Sequence, residues 1–109
     1  EDMLTYCYAE TSGVYVNLQT NKSYVISQPE YVDHVSSIEN VMGSIGNDTI
    51  IGDFKDNLLM ADSGDDVVDG GYGDDLIFGQ DGNDTLKGDS GTDEIHGEND
   101  DDEMIDTPN

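Results

Sequence analysis

Apolar residues recur along this chain in two different rhythms. In GVYVNLQT (13–20), Val14, Val16 and Leu18 alternate with polar neighbours, and SYVIS (23–27) follows the turn-like Thr20, Asn21 and Lys22. That pattern predicts a β-hairpin with one apolar face. Beyond residue 43 an apolar residue returns at every ninth position: Ile50, Leu59, Val68, Ile77, Leu86, Ile95 and Met104. The chain there divides, with no insertion or deletion, into GSIGNDTII, GDFKDNLLM, ADSGDDVVD, GGYGDDLIF, GQDGNDTLK, GDSGTDEIH and GENDDDEMI, spanning 43–105.

A nine-residue block with its apolar residue at position 8 reads as a six-residue loop followed by a three-residue strand. The middle strand residue points inward, because side chains alternate across a strand. A second block must return the chain, so two blocks form one 18-residue coil with two sheets facing each other. The loops of blocks one, three, five and seven then stack on one side, and those of two, four and six on the other. The expected fold is all-β, a right-handed parallel β-roll. HVSSIENVM (34–42) falls in phase with the blocks, with Glu39 at position 6 and Val41 at position 8, and reads as a degenerate half-coil. The chain thus divides into amino-terminal strands and a capping half-coil over 1–42, seven repeats over 43–105, and a tail over 106–109. No apolar capping segment follows block seven, so the roll is expected to end open. The first residue, Glu1, suggests a piece of something longer.

The polar columns are as regular as the apolar one. Position 1 is Gly in every block except that of Ala61, and position 4 is Gly46, Gly64, Gly73, Gly82 and Gly91, with Lys55 and Asp100 departing. Glycine permits positive φ and close backbone approach, which suits tight loops. Position 6 is Asp48, Asp66, Asp75, Asp84, Asp93 and Asp102, with Asn57 in the second block.

Charge changes the meaning of this pattern. The sequence holds 26 acidic residues against three Lys and no Arg, a formal charge of -23. Such a chain repels nucleic-acid phosphates and anionic membrane surfaces, and its natural partner is a cation. So little apolar surface at so high a charge is the signature of a chain that does not fold unaided. Strands about 4.8 Å apart and calcium–oxygen distances of about 2.3–2.6 Å place one calcium ion between two stacked loops. Position-6 carboxylates and carbonyls freed by the glycine turns would be its ligands. The pairs are Asp48 with Asp66, Asp66 with Asp84 and Asp84 with Asp102 on one side, and Asp75 with Asp93 on the other. Asn57 with Asp75 makes a fifth that is expected to be weak or empty, since Asn57 brings no charge and Lys55 stands where a glycine would be expected. Four to five calcium ions are expected, with ion binding and folding a single event.

These blocks resemble the G-G-x-G-x-D-x-U-x nonapeptide of the repeat-in-toxin (RTX), or hemolysin-type calcium-binding, family. The resemblance implies a calcium-dependent folding module of a large secreted bacterial protein, exported by type I secretion and folding outside the cell. It also leaves open an adhesive surface or the carboxy-terminal roll of a secreted hydrolase. Neighbouring domains of the parent protein are the implied partners. No EF-hand spacing and no Ser/His/Asp, Cys/His or zincin arrangement is present, so the chain is not expected to be an enzyme, to bind nucleic acid or to insert into a membrane. His34, His96 and the single Cys7 read as ordinary side chains. One outer sheet face gathers Leu58, Met60, Leu76 and Phe78, an apolar patch expected to be covered by the hairpin or a neighbouring chain.

Overall fold

The structure is a computed structural model that describes residues 3–5, 13–20, 22–25, 33–34, 40–98 and 102–105. Cys7, Glu39, Asp100 and the tail at 106–109 lie outside them. Among the described residues there is no helix, and parallel sheets wind a β-solenoid of about three turns, a β-roll. Seven strands come one from each block: β6 (Thr49–Ile51), β7 (Leu58–Met60), β8 (Val67–Asp69), β9 (Leu76–Phe78), β10 (Thr85–Lys87), β11 (Glu94–His96) and β12 (Glu103–Ile105). Ahead of them run β1 (Met3–Thr5), β2 (Val14–Asn17), β3 (Lys22–Val25), β4 (Asp33–His34) and β5 (Asn40–Met42).

One sheet has the order β1-β5-β7-β9-β11, the other β12-β10-β8-β6-β2-β3-β4. Each repeat strand pairs in parallel with the strand 18 residues away, placing Leu59 beside Ile77 and Ile50 beside Val68. Register is pinned because a one-residue slip would turn every inward side chain to the outside. The position-8 residues Ile50, Leu59, Val68, Ile77 and Leu86 are fully buried, as is Val41, and Ile95 packs against them partly buried. Met104 departs from the column and is 54% exposed, since no described strand stacks beyond β12 to cover it.

The hairpin forms as its alternation predicts, β2 pairing antiparallel with β3. Its place differs from the expected cover. β2 also pairs in parallel with β6, Val16 opposite Ile50, so the hairpin's strands extend the sheet of the odd blocks in its own plane. Val14, Val16 and Leu18 continue the core column, which buries three apolar side chains at once. The patch on the other sheet is therefore not covered by the described strands of the hairpin. Leu58, Met60, Leu76 and Phe78 are half-buried, as are Thr49 and Thr85 on the opposite sheet. Phe78 stacks instead on His96 at 5.0 Å between ring centres.

Candidate metal centre

The loops between strands are held by two hydrogen-bond ladders running in opposite directions. In the inner ladder the position-6 N–H of one loop donates to Oδ1 of the position-6 side chain one coil on. Asp48 donates to Asp66 at 2.6 Å, Asp66 to Asp84 at 2.8 Å and Asp84 to Asp102 at 2.8 Å. On the other side Asn57 donates to Asp75 and Asp75 to Asp93, both at 2.8 Å. All five pairs proposed from the sequence are thus brought together. In the outer ladder position 5 accepts from the following coil: Asn47 from the Asp65 N–H, Asp65 from Asn83, Asp56 from Asp74, and Asp74 from Thr92. The position-5 column was not singled out from the sequence, although Asn47, Asp56, Asp65, Asp74 and Asn83 all carry the Asx oxygen it needs.

The inner ladder uses one oxygen of each carboxylate. The second, Oδ2 of Asp66, Asp75 and Asp84, is buried and has no hydrogen-bond partner among the described residues. A buried carboxylate oxygen without a donor is costly, and it demands either a proton or a cation. Its surroundings offer more oxygen. A methyl placed on Gly70 would lie 2.5 Å from Asp75 Oδ2 and 2.9 Å from the Gly88 carbonyl oxygen. One on Gly79 would lie 2.6 Å from Asp84 Oδ2 and 3.1 Å from the Gly97 carbonyl oxygen. Glycine at position 1 thus keeps open a small space where a carboxylate oxygen meets a carbonyl oxygen of the next coil.

Position 4 keeps the coils close. Gly64, Gly73, Gly82 and Gly91 all have positive φ, and a methyl on any of them would lie within 2.0–2.5 Å of the carbonyl oxygen below. Neither Gly46 nor Lys55 has a positive φ, so a lysine is tolerated in the second block. Among the described residues no three His, Cys, Asp or Glu side chains converge on one point. What comes together instead is a carboxylate oxygen and a carbonyl oxygen at Gly70 and again at Gly79, hard oxygens of the kind that suit calcium rather than zinc or copper. The family model of the RTX calcium-binding nonapeptide repeat, which holds four copies, matches residues 42–77 and again 69–104.

The chain belongs to this family. Its RTX repeats are calcium-binding modules, and the matched span covers more than half of the sequence. A comparison with curated proteins finds no match. In these RTX loops the position-6 column reads directly from the sequence. The left-handed backbone at position 2 does not, because Asp62, Gln80, Asp89 and Glu98 stand there at φ 66–70° in place of glycine.

The electrostatics follow from the crowding of carboxylates. Burial pushes the Asp66 carboxyl up to about 9, and the charges of Asp48 and Asp84 add to the rise. Burial likewise pushes Asp75 and Asp84 up to about 7, with Asp93 and Asp102 as charged neighbours. Each value lies above that of the unfolded chain, about 3.9. The folded chain then holds more protons than the unfolded one. In chelator their stabilising contribution is full below pH ~4 and is lost as pH rises through the raised values. We expect β content in chelator to fall as pH rises from about 4 to 9. Circular dichroism checks this, and a signal unchanged across the range would contradict it.

Proposed function

We propose that the chain is a calcium-dependent folding module of a larger secreted bacterial protein, with no catalytic activity of its own. The observation that carries the reading is the set of buried carboxylate oxygens on Asp66, Asp75 and Asp84 with no hydrogen-bond partner among the described residues, those of Asp75 and Asp84 beside Gly70 and Gly79. Asp93 and Asp102 stand one coil on from Asp75 and Asp84, and the loop carbonyls around Gly64, Gly73, Gly82 and Gly91 complete the oxygen set. Calcium bound between stacked loops would neutralise carboxylates that otherwise repel one another and join each coil to the next.

A chain of charge -23 with a one-residue-wide apolar core has little to hold it together without that neutralisation. Such a chain suits type I secretion, crossing its channel unfolded from a calcium-poor cytoplasm and folding in calcium-rich surroundings. The parent protein would be a toxin or adhesin, and the roll would join its neighbouring domains.

Calorimetric titration tests the reading. Calcium should bind in the range of extracellular modules, on the order of 10⁻⁴–10⁻³ M, and magnesium at equal concentration should not replace it, because it demands near-octahedral geometry and gives up water reluctantly. No calcium uptake at about ten times that range would refute the proposal.

A further inference from the structure

The seven loops are not equivalent, although the sequence repeats without interruption. In the first loop both oxygens of the Asp48 carboxylate accept from protein donors, although Gly43 keeps beside Asp48 Oδ2 and the Ala61 carbonyl the same space that Gly70 and Gly79 keep in later loops. Its Oδ1 accepts from the Val14 N–H at 2.7 Å and from the Ser44 hydroxyl at 2.6 Å, and its Oδ2 accepts from the Ser44 N–H at 2.9 Å. In the second loop Asn57 Oδ1 accepts from the Asp53 N–H at 3.1 Å. A methyl on Gly52 would lie 2.6 Å from that same oxygen, which therefore occupies the place Oδ2 takes in the later loops.

The backbone accounts for the difference. Position 2 has positive φ at Asp62, Gly71, Gln80, Asp89 and Glu98, and not at Ser44 or Asp53. Where position 2 is left-handed, Oδ2 of Asp66, Asp75 and Asp84 has no donor. Where it is not, the position-2 N–H closes onto the position-6 side chain. A left-handed non-glycine residue costs about 1–2 kcal/mol, so this conformation is held by the coils around it. Beneath the first loop lies the hairpin instead, with Gly13 (φ +91) pressed against the Asn47 carbonyl and Val14 donating to Asp48.

We infer that the first loop on each side of the roll, 43–48 and 52–57, is closed by the protein's own hydrogen bonds and takes no calcium, so the ion ladder begins one coil later than the repeat. The inference rests on the calcium reading above. It makes Asp48 a clamp that fastens the hairpin to the roll, rather than a ligand, and Asn57 an amide whose lack of charge suits a loop with no ion to neutralise.

Counting bound calcium by equilibrium dialysis of the full chain and three variants tests it. Asn57→Asp and Asp48→Asn should bind as many ions as the parent, and Asp75→Asn at least one fewer. A gained ion in Asn57→Asp, a lost ion in Asp48→Asn, or an unchanged count in Asp75→Asn overturns the inference. Should Asp48→Asn fail to fold, because its new amide opposes the Ser44 N–H, Asn57→Asp still decides, since its carboxylate keeps an acceptor for the Asp53 N–H. A parent chain that binds no calcium overturns the calcium reading itself, and this inference with it.

Discussion

Asp84→Ala should be the most damaging single side-chain change in the roll. The residue has an unpartnered oxygen facing the Gly97 carbonyl, and its other oxygen accepts the buried Asp66 N–H at 2.8 Å. It stands midway in its column, between Asp66 and Asp102, so its carboxylate would serve ions on both sides. Truncation leaves the Asp66 N–H without its acceptor, at about 1–3 kcal/mol, before any loss of calcium is counted. With a further loss of calcium affinity the total should exceed about 4 kcal/mol, the range reserved for changes that break a buried network. A calcium titration followed by circular dichroism should show the midpoint moving at least tenfold upward, since about 1.4 kcal/mol is a factor of ten. A midpoint within twofold of the parent's would show that Asp84 is not a ligand.

Gly82→Ala should be comparably severe for a reason that involves no charge. Gly82 has φ +103, and a methyl there would lie 2.0 Å from the Gly64 carbonyl oxygen, a backbone atom that cannot swing aside. An L-residue pays about 1–2 kcal/mol for a left-handed conformation, and relieving the collision means spreading two coils whose strands share hydrogen bonds. We expect a loss of about 3–5 kcal/mol, typical of strain and overpacking combined. Thermal unfolding in saturating calcium checks it. A melting temperature within a few degrees of the parent's would mean that the coils are not packed as tightly as their carbonyls indicate.

Both effects trace to columns visible in the sequence. The inward column was readable because strand alternation and an 18-residue coil force one apolar residue per block to the interior, and Ile50 to Leu86 are all buried. The hairpin was readable from the alternation of Val14, Val16 and Leu18. Its docking was not, because the same alternation serves a cover or an added rung, and only the pairing of Val16 with Ile50 distinguishes them. The acidic column named which side chains gather. It could not say which oxygens would be left without donors, since that depends on the backbone at position 2. There Ser44 and Asp53 fold one way, while Asp62, Gln80, Asp89 and Glu98 fold the other, with no glycine to announce it. Met104 fits the apolar pattern but not the core, because burial at a solenoid's end depends on what stacks next.

The central claim, that calcium binding and folding of the repeats are one event, is tested most directly by far-ultraviolet circular dichroism at neutral pH, first in excess chelator and then as calcium is added. The account predicts a disordered spectrum in chelator and a cooperative rise of β signal with calcium. A β spectrum already complete in chelator and unchanged by millimolar calcium would contradict it.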